Sequence, residues 1–131
     1  MKNIVYTYGV FDLLHWGHIE LLKEAKKLGD YLIVGIFTDE VATSFKRKPV
    51  LSEKTRLKTI ESLGLADLVI YQKELNPQSI INKYKIDIVA KGNGAGFEEA
   101  EFKNCQKMLL DYHNGISTTE IIKKIQNDYI K

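Results

Sequence analysis

The stretch Ile4-Val5-Tyr6-Thr7-Tyr8-Gly9-Val10-Phe11-Asp12-Leu13-Leu14-His15-Trp16-Gly17-His18 decides the fold. Its first five residues are β-branched or aromatic, the composition of a buried strand. Beyond His18, apolar residues recur at Ile19, Leu21, Leu22, Ala25 and Leu28, the spacing of an amphipathic helix. A strand therefore gives way to a helix N-terminus around His15 and His18. Unpaired backbone N–H groups and the helix dipole favour bound anions at such a junction. Imidazoles there either cap the helix or donate hydrogen bonds to phosphate oxygens, more strongly when protonated. Gly9 and Gly17 carry no Cβ and let the backbone approach a ligand closely.

Working outward, further strands are expected at Tyr31–Phe37, Leu68–Tyr71, Ile86–Ala90 and Lys107–Leu110. Helical patterns fall at about 16–28, 53–63, 77–84, 98–105 and 118–129. Ser52 is placed to cap the second of these helices and Asn76 the third, with Pro77 in its first turn. Short apolar strands alternating with amphipathic helices predict an α/β fold: a Rossmann-like open parallel sheet of about five strands, with helices on both faces. Such a sheet binds its ligand outside the carboxyl ends of its strands.

The 131 residues suffice for one domain spanning the whole chain, without repeats or linkers. A net charge of +2 with scattered basic residues gives no reason to expect nucleic acid or membrane as a partner. Met1-Lys2-Asn3 leads directly into a strand, without the apolar core of a signal peptide. The single cysteine, Cys105, excludes an internal disulfide and is expected to pack. The expected location is cytoplasmic.

Phe11-Asp12-Leu13-Leu14-His15-Trp16-Gly17-His18 resembles the first signature of the cytidylyltransferase-like nucleotidyltransferases, and Gly115-Ile116-Ser117-Thr118-Thr119 resembles their second. The chain is similar to the glycerol-3-phosphate cytidylyltransferases most of all, notably at Trp16 and Leu28-Gly29-Asp30-Tyr31-Leu32. The adenylyltransferase domains that activate heptose 1-phosphate resemble its tail and its Lys91-Gly92 turn. The resemblance implies transfer of CMP from CTP to a small phosphorylated alcohol, glycerol 3-phosphate by default. Pyrophosphate is released, and the product is a CDP-alcohol of the kind used in cell-surface polymers.

It also implies the site. His15, His18 and Lys46 would act on the phosphates, with Lys48 as the alternative to Lys46. Thr7, Tyr8, Gly9, Val10, Phe11 and Gly17 would cradle the nucleotide, and Arg56 and Lys91 would contact it. Gly92 and Asn93 would lie beside the base, and Gly115, Ile116, Ser117, Thr118 and Thr119 would bind the β- and γ-phosphates. Asp12, Lys46 and Trp16 would face the acceptor, although Asp12 alternatively orients the turn, and Trp16 either packs under the nucleotide or anchors a homodimer. Mg²⁺ would arrive with the nucleotide, held by phosphates and water, because no carboxylate cluster suggests a dedicated metal cage.

The pattern departs from the glycerol-3-phosphate enzymes in three places. Asp111-Tyr112-His113-Asn114 carries no arginine before the second signature, none lies near Gly64, and Lys91-Gly92-Asn93-Gly94 replaces a Gly-Asp-Asp-Trp turn. Each lost guanidinium contact is worth roughly 1.5–3 kcal/mol, which His113 or Lys91 would have to compensate. Heptose adenylylation and a nucleotide-binding module without turnover are the competing expectations.

Overall fold

A computed structural model describes residues 3–92, 97–110 and 117–130. Five strands form one sheet: β1 (Ile4–Gly9), β2 (Tyr31–Phe37), β3 (Leu68–Gln72), β4 (Ile88–Lys91) and β5 (Gln106–Leu109). Their order is β3-β2-β1-β4-β5, and every neighbouring pair runs parallel. Helices α1 (Trp16–Lys26), α2 (Asp39–Phe45), α3 (Glu53–Ser62), α4 (Gln78–Tyr84) and α5 (Thr118–Asp128) complete the fold.

Alternation along β1 sorts the core into two layers. Val5 joins Leu22 and Ala25 of α1 and Ile60 of α3 on one face. Tyr6 and Tyr8 join Ala42 of α2, Ile81 of α4, Phe37 and Phe97 on the other. The central strands are therefore buried on both sides, as their continuous apolar runs require. Gly35 on β2 is needed for close approach, because a Cβ there would meet the Tyr6 hydroxyl. That hydroxyl donates to Gln72 Oε1 at 2.6 Å across the buried face. At the amino edge of the sheet, carboxylates finish the ladders: Asp30 accepts from Asn3 N, Asp87 from Ile4 N and Asp67 from Leu32 N.

Two expectations are corrected. Residues 98–105 do not form a helix. The Lys107 ammonium takes the carbonyls of Phe97, Glu98 and Ala100 at 2.7–2.9 Å, and Gln78 pairs with both the amide and the carbonyl of Lys103. The carbonyls that would propagate a helix are thus already engaged. Conversely α2 forms where no helix is expected, begun by the Thr38 hydroxyl, which accepts from Val41 N, with Asp39 and Glu40 in its first turn. Ser52 caps α3 as expected. Pro77 occupies the capping position of α4, and Asn76 Oδ1 accepts from Gln78 N just outside it.

Candidate active site

The junction after β1 is built on two imidazoles. His15 is the N-cap of α1, and its Nδ1 accepts from Gly17 N at 3.1 Å. His18 Nδ1 accepts in turn from His15 N at 3.2 Å, a reciprocal capping box in which both acceptors are histidines. The rings stack with centroids 3.9 Å apart, and the Phe11 ring lies 5.6 Å from His18.

Capping fixes the tautomer. A nitrogen that accepts from an amide carries no proton, so in the neutral rings Nε2 is the donor. Burial lowers the pKa of His15. For His18, burial first, then His15 and Lys46, push it down to about 4 against an opposing contribution from Asp12. Near neutral pH both rings are neutral Nε2–H donors, not the imidazolium expected to bind phosphate most strongly.

The loop feeding this box is strained. Phe11 (φ 53) and Leu13 (φ 49) both occupy the left-handed region without being glycine, at a cost of order 1–3 kcal/mol each. Asp12 between them holds the strain in place. Its carboxylate accepts from Val50 N at 2.7 Å and Leu51 N at 2.9 Å, and its carbonyl accepts from the Thr118 hydroxyl at 2.8 Å. Asp12 is 3 % exposed and both carboxylate oxygens are engaged, so it orients the turn and does not face a substrate.

Arg56 is likewise corrected. It is fully buried, and its guanidinium donates to the carbonyls of Leu51, Val10 and Phe37 at 2.8–3.0 Å and to Asp39 Oδ1 at 2.7 Å. Its donors are spent within the protein and not on the nucleotide; it clamps the ends of β1 and β2 and the segment before α3 together beneath the site. Val10 gives its carbonyl to this clamp. Tyr8 packs edge-on against Phe37 and Phe97, and burial pushes its hydroxyl up to about 12, so it supports the site through its ring and backbone. Gly9 keeps clear of the Phe11 ring, which a Cβ would approach to 3.3 Å.

The second signature meets the first. Ser117 caps α5 by accepting from Glu120 N at 3.1 Å. Its cap leaves the Thr118 and Thr119 N–H groups without intrahelical partners. The Thr118 hydroxyl is spent on Asp12, so it is not a phosphate donor. Arg47 Nη1 donates to Thr119 Oγ1 at 3.2 Å, while its buried Nε has no partner among the described residues. Sequence reading passed over Arg47 in favour of its neighbour. The signal was present: a second cation in a basic run between two helices.

Lys46 caps the C-terminus of α2, its N–H bonded to Ala42 O. Its ammonium lies in electrostatic reach of Asp12, His18 and Lys91, and partial burial followed by Arg47 lowers its pKa. Lys48 is exposed and takes no part in this cluster. Lys91 closes β4 with its Nζ 4.3 Å from the Tyr8 ring centroid. Gly92 follows with nothing nearer than Leu21 Cδ1 at 3.7 Å from where a Cβ would stand. Trp16 is 51 % exposed at the start of α1. Asn93, Gly115, Ile116 and His113 lie outside the described residues.

Residues 6–124 match the family described as cytidylyltransferase-like. The chain belongs to that family. This cytidylyltransferase-like chain is a nucleotidyltransferase by that membership, and both junctions lie within the matched residues. It is 41 % identical over 128 residues to glycerol-3-phosphate cytidylyltransferase of Bacillus subtilis, covering 95 % of this chain and 98 % of that one. It is 38 % identical over 133 residues to the bifunctional protein HldE of Helicobacter pylori, covering 98 % of this chain but 29 % of that one. A lipopolysaccharide core biosynthesis protein of Thermoplasma volcanium superposes with a TM-score of 0.79 at 32 % identity, covering 87 % of this chain and all of that one. No helix among the described residues is long and apolar enough to cross a membrane.

Proposed function

We propose that this cytidylyltransferase-like enzyme joins CMP from CTP to the phosphate of a small phosphorylated alcohol, glycerol 3-phosphate by default, and releases pyrophosphate. The observation that carries the reading is the histidine capping box, which spends Nδ1 of each ring and leaves Nε2–H as the donor, on a loop bonded to the start of α5 through Asp12 and Thr118. Identity of 41 % to a glycerol-3-phosphate cytidylyltransferase over nearly the full length of both chains supports this acceptor.

In this reading an oxygen of the acceptor phosphate attacks the α-phosphorus, and the bond to the β-phosphate oxygen breaks. No covalent enzyme intermediate is needed, so the protein contributes positioning and electrostatic stabilisation. His15 and His18 donate from Nε2 to phosphate oxygens at the breaking bond. The amides of Thr118 and Thr119 receive the leaving pyrophosphate at the α5 N-terminus. Arg47 supplies the guanidinium that the segment before Gly115 lacks, and Lys46 neutralises charge between the groups. The neighbouring carboxylates of Asp12 and Asp39 are committed to amides and to Arg56, so Mg²⁺ would be held by the nucleotide's phosphates and water, where it screens their charge. A cytoplasmic twofold homodimer, with Trp16 near its boundary, completes the proposal.

The match to HldE, at 38 % over 98 % of this chain, favours a second reading: adenylyl transfer to a heptose 1-phosphate. Pyrophosphate release with CTP and with ATP across a panel of phosphorylated acceptors separates the two. Faster release with ATP at equal acceptor overturns the CTP assignment. Nucleotide binding without turnover on any pair reduces the chain to a binding module.

A further inference from the structure

Lys91 is the polar group this site leaves unexplained. Its side chain is 7 % exposed, with its ammonium 4.3 Å from the Tyr8 ring centroid and 6.0 Å from that of Phe37. Aromatic faces compensate a buried cation only in part. Buried charges are ordinarily paired, and no described carboxylate bonds to this one. Its strongest charged neighbour is another cation, Lys46. Burial first, then Lys46, lower its pKa to about 8, so it remains mostly protonated near neutrality. Asp12 offsets Lys46 in part, but no described carboxylate is set against Lys91, whose place on the aromatic wall is complete only when an anion arrives.

The sheet says from which side it comes. Alternation along β4 puts Lys91 on the face of Val89, with Tyr8, Phe37 and α2. The histidines ride on α1, whose buried residues Leu22 and Ala25 pack on the opposite face. Lys46 is within electrostatic reach of both His18 and Lys91, so the two groups belong to one site near the carboxyl end of β1. A displacement at phosphorus holds the entering and leaving oxygens roughly in line on opposite sides of the reacting atom. If the leaving pyrophosphate is received on the side of the histidines, the entering phosphate comes over Tyr8.

We propose that Lys91 binds the phosphate of the acceptor, a phosphomonoester, and does not bind the triphosphate. This rests on the nucleotidyl-transfer reading above and assigns the acceptor's side of that site. The ammonium neutralises the oxygens that do not attack, which lets one anion approach another, and it keeps its proton throughout. It also gives a reason for rejecting an unphosphorylated alcohol, whose binding would cover the cation without pairing it.

The test is equilibrium binding of sn-glycerol 3-phosphate, ethanolamine phosphate and a sugar 1-phosphate to the wild-type chain and to Lys91→Met. The protein is first saturated with Mg²⁺ and a non-hydrolysable CTP analogue, or the ATP analogue if ATP proves the substrate, and glycerol serves as the phosphate-free control. Methionine keeps an apolar stem between Tyr8 and Phe37 without the charge; Lys91→Gln serves if that variant fails to fold. The expected result is at least tenfold weaker binding of whichever phosphomonoester the wild type takes, with affinity for the nucleotide analogue unchanged within twofold. An equal loss of nucleotide affinity, or an unchanged acceptor affinity in a folded variant, overturns the assignment. A wild type that takes ethanolamine phosphate or the sugar phosphate instead of glycerol 3-phosphate changes the acceptor while leaving Lys91 to be judged on that ligand. A wild type that binds none of them overturns both.

Discussion

The Thr118 hydroxyl donates to the carbonyl of Asp12 at 2.8 Å, joining residues 106 apart in the chain. Through this buried bond the last helix rests on the loop that carries the two histidines. Thr118→Val removes the donor and leaves the Asp12 carbonyl unpaired. The expected cost is about 1–3 kcal/mol of stability, read as a lower denaturation midpoint with an unchanged slope. A midpoint equal to the wild type's would mean that the helix docks without this bond.

The double duty of His15 separates by substitution. His15→Asn keeps a good capping side chain but loses the outward Nε2–H. Stability should stay within about 0.5 kcal/mol of the wild type, while kcat falls by about 10²–10³ and nucleotide affinity changes little. His18→Ala should lose both rate and stability. Near-normal turnover in either variant assigns that ring to the cap alone.

Protonating His18 forces its Nδ1 to stop accepting from His15 N. Its folded pKa of about 4 lies below the ordinary 6.5. Its contribution to stability is therefore full above pH 6.5 and is lost as the pH falls towards 4. The shift corresponds to an amount on the order of 3 kcal/mol. Titration of the imidazole proton resonances in the ligand-free protein should give a His18 midpoint well below 6.5. A midpoint at or above 6.5 would rule out the capping tautomer.

Arg56→Met leaves three carbonyls and Asp39 without their donor. A loss of about 1–3 kcal/mol for each buried carbonyl left unpaired is the scale expected, with little from Asp39, whose side chain is 43 % exposed. Arg56→Lys should recover only part of it, because an ammonium has no fork to span these acceptors. A variant that keeps wild-type stability but loses nucleotide affinity would return Arg56 to the phosphates.

Arg47→Ala should raise KM for the nucleotide about tenfold or more, since a charge-assisted phosphate contact is worth roughly 1.5–3 kcal/mol. An unchanged KM would confine Arg47 to holding Thr119.

The alternation of strands and helices was legible because the central runs, such as Tyr31–Phe37, are apolar on both faces. The turn at 97–105 was not, because its conformation is imposed by the Lys107 ammonium reaching back to three carbonyls. Helix α2 was passed over although Thr38-Asp39-Glu40 is a sound helix start. The residue types of the site were readable from its two signatures; which atoms were already spent was not. Asp12, Arg56 and Thr118 carry chemistry that suits a ligand, yet each is turned on the protein itself. Only tertiary contacts from remote segments distinguish such a residue from His15, whose Nε2 takes no partner among the described residues.

The loop strained at Phe11 and Leu13 is held at Asp12 by Thr118, and α5 follows all five strands in chain order. A chain that has made β1 to β5 has both histidines and the Val50 and Leu51 amides on the Asp12 carboxylate, but not the hydroxyl that holds the Asp12 carbonyl. Competence therefore waits on the docking of α5. A product cut short before Ser117 would be silent and would not act as a weakened enzyme that consumes nucleotide to no purpose.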